Sequence, residues 1–156
     1  MPRIEAKHVV PVDIDTAFAV SQTHGDIRLE WDPFIASQHL VDADHPAKGV
    51  RTATVSRHRL KMVSEYVSFK APTQVGMKMV EGPWFFASFG GGWTFREVDG
   101  GTEATWRYTF SVKPSWLSPV ADPIGRWLLG KDITARIGAY AKACQNPVVL
   151  AAVRAP

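Results

Sequence analysis

Residues 118–146 constrain this chain more than any other stretch. They open Ser118-Pro119-Val120-Ala121-Asp122-Pro123-Ile124 and close Cys144-Gln145-Asn146-Pro147. Ser118 or Asp122 caps a helix, with Pro119 or Pro123 as a first helical residue, where the missing N–H costs nothing. Pro147 forbids continuation, so the spacing predicts one long helix closing the domain. Leu129, Ile133, Ile137, Tyr140, Ala141 and Cys144 recur at helical spacing as an apolar stripe, from which Lys131, Asp132, Ala135, Ala139 and Lys142 fall away. At about 100° per residue, Ile124, Trp127 and Leu128 centre roughly half a turn from that stripe. The helix then either buries two faces or breaks near Gly130. The expectation is a kink between Leu128 and Lys131, which would make the leading segment a movable flap with Trp127 as its latch.

Everything upstream reads as strands able to wrap this helix. Arg3–Val10 alternates as a first strand, and Pro11 stops it. Asp13 or Asp15 caps a short helix carrying Ala17, Phe18 and Val20, and Gly25 ends it. Residues 26–30 give one further turn before Trp31-Asp32-Pro33. Strands follow at about 34–41, 50–58, 60–70 and 73–80. The break at Arg57-His58-Arg59 carries neither Gly nor Pro. The clearest hairpin joins residues 84–98 to 102–113 through Asp99-Gly100-Gly101. A two-residue turn at either Asp99-Gly100 or Gly100-Gly101 sets Phe89, Gly91, Trp93 and Phe95 beside Trp106, Tyr108, Phe110 and Val112 on one face. The opposite face carries Thr94, Arg96, Thr105, Arg107, Thr109 and Ser111. Gly90-Gly91-Gly92 is expected to form a bulge that bends the strand.

With 156 residues, the chain suits a single domain with a proper core. Six Trp and eight Phe make it rich in aromatics, while a formal charge of +3 falls far short of a nucleic-acid binder's density. The single cysteine, Cys144, permits no internal disulfide and no cysteine-based zinc site. On the helix stripe it reads as a buried, inert thiol. Residues 1–10 lack a signal-peptide core and no apolar run approaches membrane-spanning length, so a cytoplasmic protein without an integral membrane segment is expected.

The order is strand, two short helices, six antiparallel strands and a long C-terminal helix. With Trp31-x-Pro33, Trp93-x-Phe95 before Gly101-Thr102, and Pro11-Val12-Asp13-Ile14 leading into the first helix, the chain resembles the START/Bet v 1-like (SRPBCC) superfamily. Within it the chain looks most like the bacterial polyketide cyclase/dehydrase-type proteins. The resemblance runs from about residue 4 to residue 144. It implies an α+β helix-grip fold: a curved antiparallel sheet of about seven strands wrapped around the last helix, with an apolar cavity between. The single domain covers 1–146, and 147–156 forms a tail, loose or laid along the surface.

Such families bind lipids, steroids, polyketides or other apolar molecules, and a minority catalyse cyclisation or dehydration. The resemblance therefore implies binding or carrying of a small to medium hydrophobic ligand. Polyketide cyclisation, aromatisation or dehydration in the same cavity is one alternative, and an interaction module with a filled cavity is another. From the residues alone, large aromatics are core before they are anything else. With the resemblance, the candidate lining becomes Trp31, Phe34, Tyr66, Met77, Phe89, Trp93, Phe95, Trp106, Tyr108, Phe110, Trp127, Ile133 and Ile137. The polar tips of Tyr66, Trp106 and Tyr108 are its natural orienting groups. Proton chemistry there falls to His58, Glu65, Tyr66 or Tyr108. Glu65 and Tyr66 point to opposite faces, and the rarity of buried glutamate favours Tyr66 inward.

No catalytic set converges, and no Walker loop, G-x-G-x-x-G, HExxH or G-x-S-x-G occurs. Asp42, Asp44 and His45 with His39 match no ligand spacing, and a solvated turn is expected. The basic run Arg57, His58, Arg59 and Lys61 has no interleaved aromatic for stacking bases. The expectation is no cofactor, no metal, no nucleic acid, a small hydrophobic ligand as partner, and a monomer or homodimer.

Overall fold

The computed structural model describes residues 2–154. Seven antiparallel strands form one curled sheet in the order β1-β7-β6-β5-β4-β3-β2. They are β1 (Arg3–Val10), β2 (Ile35–Val41), β3 (Arg51–Ser56), β4 (Lys61–Lys70), β5 (Gln74–Glu81), β6 (Phe86–Val98) and β7 (Gly101–Val112). Two short helices, α1 (Ile14–Ser21) and α2 (Gly25–Leu29), follow β1. A 3₁₀ turn, Ser115–Leu117, leads into the long helix α3 (Ser118–Ala143), and α4 (Pro147–Arg154) follows. This is the helix-grip fold expected of the element order.

Local chemistry accounts for most of the boundaries. Asp13 caps α1, its carboxylate accepting from Thr16 N–H at 3.2 Å and from the Thr16 hydroxyl at 2.6 Å. The β6–β7 hairpin closes with Val98 opposite Gly101. Gly100 sits in the turn at φ +88°, where a side chain would be strained. The glycine-free turn at residues 57–60 forms with Arg59 itself in the left-handed region at φ +64°. Pro147 does more than stop α3. It begins α4, with the Asn146 side chain accepting from Val148 N–H at 2.9 Å as an N-cap. The last described residues are thus helical, with Val149 fully buried and α4 lying against α1.

Two local expectations differ from what forms. Gly90, Gly91 and Gly92 do not bulge: each pairs in register with β5 on one side and β7 on the other. The run permits close strand approach instead, because a Cβ on Gly91 would stand 2.8 Å from the Arg107 carbonyl oxygen. The register shift of β6 lies earlier, between Phe86 and Ser88. Helix α3 is also continuous through Gly130. Ile124, Trp127 and Leu128 are neither buried on a second face nor relieved by a break, and they stand exposed to solvent. α3 packs mainly on β1 and β7.

Candidate ligand-binding cleft

Strand register sorts the concave face of the sheet into transverse rows, since residues opposite one another share a face. One row runs Phe69, Val75, Trp93, Trp106, Ala6. The next, two residues along β1, β5, β6 and β7 and three along β4, where the register shifts between Tyr66 and Ser68, runs Tyr66, Met77, Gly91, Tyr108, Ile4. Two residues further come Ser64, Met79, Phe89 and Phe110. Val75, Trp93 and Trp106 of the first row are buried, as are Tyr66, Tyr108 and Phe110 in the next two, whereas Met77, Met79 and Phe89 are only half-buried. The half-buried side chains Met77, Met79 and Phe89 mark the more open part of the face.

Aromatic rings dominate the first row and its surroundings. Trp93 stacks on Trp106 at 4.2 Å between ring centres and on Phe95 at 5.7 Å, and Phe18 meets Phe95 edge-on at 5.5 Å. Tyr140 of α3 lies 4.7 Å from Trp93 and 5.8 Å from Trp31, and its hydroxyl donates to the Ala17 carbonyl at 2.7 Å. Ile133 and Ile137 complete this core from the helix side. In the more open part, Phe89 lies 5.5 Å from Tyr108 and 5.1 Å from Phe86. There α3 rests on Phe110 at Gly125, where an added Cβ would come within 2.8 Å of the ring.

Beside these rings lies a buried ion cluster. The Asp32 carboxylate, with no exposed surface, accepts from Arg136 Nε at 3.0 Å, Arg136 Nη2 at 2.7 Å, Arg28 Nε at 2.9 Å and the Phe34 N–H at 3.1 Å. Arg28 Nη1 also donates to the Ser21 carbonyl at 2.7 Å, and Arg136 Nη1 donates to the Tyr108 hydroxyl. Arg136 lies 4.2 Å from the Trp106 ring centre and 4.7 Å from that of Phe34, and Arg28 lies 4.4 Å from that of Trp31. Such stacking suits a weakly hydrated guanidinium. Burial pushes the Asp32 carboxyl up, but the two guanidiniums outweigh it and hold the group at about 2. Burial raises the Tyr108 hydroxyl above the usual phenol value. Two guanidiniums against one carboxylate leave this cluster with a net positive charge.

Of the residues expected to line a cavity, Trp127 alone stands apart, on the solvent side of α3 with Lys131 Nζ 4.7 Å from its ring centre. Trp31, Tyr66, Trp93, Phe95, Trp106, Tyr108, Ile133 and Ile137 belong to one buried core, Met77 and Phe89 pack half-buried against it, Phe34 lies against Arg136, and Phe110 lies under Gly125. Tyr66 points inward, its hydroxyl donating to Gln22 Oε1 at 3.0 Å, and burial pushes that hydroxyl up to about 12. Glu65 points outward and pairs with Arg51 at 3.2 Å. Cys144 is fully buried and its thiol is pushed up to about 11, mainly by that burial. Asp32, Arg28 and Arg136 were absent from the sequence-based candidates. A signal for one existed: Arg136 falls three residues after Ile133 and four before Tyr140, inside the apolar stripe. Among the described residues, no three of His, Cys, Asp and Glu gather to hold a metal, and no helix is long and apolar enough to cross a membrane.

A curled antiparallel sheet gripping a long C-terminal helix, with two short helices after the first strand, defines an α+β domain of the helix-grip class. The chain belongs to the family described as "Polyketide cyclase / dehydrase and lipid transport", whose sequence profile matches residues 1–145. Its fold is similar to that of a START superfamily protein from Mycobacterium smegmatis (TM-score 0.75, 12% identity, 92% of this chain and 97% of that one). It is also similar to Ara h 8.0201 (TM-score 0.70, 15% identity, 92% and 97%). A third similar structure is the di-domain ARO/CYC BexL from the BE-7585A biosynthetic pathway (TM-score 0.71, 17% identity). There 93% of this chain covers 50% of the other. No curated protein matches the sequence significantly.

Proposed function

We propose that this protein binds or carries a small to medium apolar molecule with an oxygen-bearing head, held between the concave face of the sheet and α3. The observation that carries the reading is the cationic Arg28–Asp32–Arg136 cluster set among the aromatic rows, with Tyr108 beside the half-buried Phe89. Apolar rings supply affinity through burial, and a few fixed polar groups orient the ligand. Tyr108 accepts from Arg136, which leaves its own proton free for a ligand carbonyl, enol or carboxylate oxygen. The net positive charge favours such a head over a basic one.

Native mass spectrometry of freshly purified protein, looking for a co-purifying acidic or keto-bearing apolar molecule, tests this directly. Tyr108→Phe should weaken its binding by about 0.5–1.5 kcal/mol, the net worth of one hydrogen bond. Unchanged affinity in that variant removes Tyr108 from the reading.

A second reading, cyclisation or dehydration of a polyketide chain, is favoured by one observation: ionisable groups lie deep between sheet and helix, where a simple carrier needs none. Tyr108, hydrogen-bonded by Arg136, would then polarise a ketone as general acid. Turnover of polyketide-like substrates that Tyr108→Phe abolishes would establish it.

A further inference from the structure

We infer that the outer face of the leading half of α3, with Trp84 and Trp116, docks on a lipid surface carrying anionic headgroups. Trp84, Trp116 and Trp127 are 76%, 74% and 62% exposed, although tryptophan is among the costliest side chains to leave in water. Val120, Ile124, Trp127 and Leu128 recur at i, i+4, i+7 and i+8, so they form one apolar stripe on the side of α3 turned away from the core. Trp84 and Trp116 lie at the same end of the sheet, because the Phe85 carbonyl accepts from Lys113 N–H at 3.0 Å just before the 3₁₀ turn.

The charges select the occupant. Residues 82–89 carry none, with the exposed Glu81 just before them, and residues 113–132 carry three exposed cations, Lys113, Arg126 and Lys131, against the half-buried Asp122 and Asp132. The Asp122 carboxylate has its Oδ1 buried, and Lys131 stands on the apolar stripe itself, over the Trp127 ring. A ridge of tryptophans and aliphatics flanked by cations matches an interfacial helix on anionic lipid. The route inward has the same polarity. Neighbouring ring centres run from Trp84 to Phe85 (5.9 Å), Phe86 (4.7 Å), Phe89 (5.1 Å) and Tyr108 (5.5 Å). An apolar molecule leaving a bilayer at Trp84 would meet aromatic surface all the way to the ion cluster. The docking itself does not depend on what the cleft holds.

The test is co-flotation of the full chain with phosphatidylcholine vesicles, with and without about 30% phosphatidylglycerol, read alongside tryptophan emission. Wild type should partition onto the anionic vesicles with a blue shift, and added salt should weaken it. The double variant Ile124→Ser/Trp127→Ser should lose about tenfold or more in partitioning while far-UV circular dichroism stays unchanged. Lys131→Glu should lose binding to anionic vesicles only. Absence of vesicle binding by wild type overturns the inference. So does sedimentation showing a wild-type dimer that the double variant dissociates, since the occupant is then a second copy of the chain.

Discussion

Asp32 and Arg136, 104 residues apart in sequence, meet in a two-point ion pair that ties the segment after α2 to the core-facing side of α3. The two N–O distances, 3.0 and 2.7 Å, are those of a fork matched to a carboxylate. Arg28 adds a second cation to Oδ2, and the Phe34 N–H completes the carboxylate's set of partners. A buried carboxylate is tolerated only when its acceptor sites are filled, and here they are.

Asp32→Ala removes the shared anion and leaves two buried guanidiniums facing each other. The cost should be about 3–5 kcal/mol, the usual penalty for breaking a buried pair by deleting one partner. Urea unfolding followed by circular dichroism measures it. A loss under about 1 kcal/mol would mean that water reaches the cluster.

Asp32 also sets the acid limit. Its folded-state value of about 2 lies below the ordinary carboxylate value of 3.8. The unfolded chain therefore takes up the proton first as pH falls. The stabilisation from this group is complete above about pH 4 and is lost as pH drops through about 2. A shift of this size corresponds to something on the order of 2 kcal/mol. Unfolding free energies measured from pH 5 down to pH 2 should show this decline, and Asp32→Asn should flatten it.

How much of this was legible beforehand follows from what each signal reports. The order of elements, the hairpin register and the shared aromatic face came from alternation and turn chemistry, which are local properties of the chain, whereas the sheet gripping the last helix was what the family resemblance implied. Tyr66 inward and Glu65 outward followed from the cost of burying a carboxylate. The ion cluster is another matter. Asp32, in Trp31-Asp32-Pro33, reads locally as a loop aspartate, and only α3 crossing above it makes it an interior residue. Arg136 did stand inside the apolar stripe, at the spacing of Ile133 and Tyr140. A cation there is explicable only by a buried partner, and nothing local names that partner. The proposed break at Gly130 failed for a related reason. Periodicity shows that Trp127 and Ile137 face opposite ways, and it cannot show that one of them is left in water.

Tyr140→Phe isolates one tie between α3 and α1. Its hydroxyl donates to the Ala17 carbonyl at 2.7 Å with both groups buried, so removal leaves an orphaned acceptor. A loss of about 1–3 kcal/mol is expected. Because Cys144 caps the C-terminal end of α3, one turn beyond Tyr140, its native-state labelling by a thiol reagent should accelerate in the same variant. Unchanged labelling would show that the tie does not govern opening of this end of the helix.

Two glycine substitutions should move stability in opposite directions. At Gly130 an added Cβ meets nothing within 4 Å, and the residue sits in the interior of an unbroken helix. Gly130→Ala should therefore stabilise by about 0.5–1 kcal/mol through reduced freedom of the unfolded chain and better helix propensity. At Gly92 the Cβ would press on the backbone carbonyl of Val75 in the neighbouring strand, where no flexible side chain can give way. Gly92→Ala should prise β5 from β6 and cost about 1–3 kcal/mol, in the range of an overpacked site. Thermal melts of the two variants beside wild type check both signs at once. If Gly130→Ala destabilises, the helix is not regular there, and the flap expected from its apolar phase returns as the better account of the leading segment.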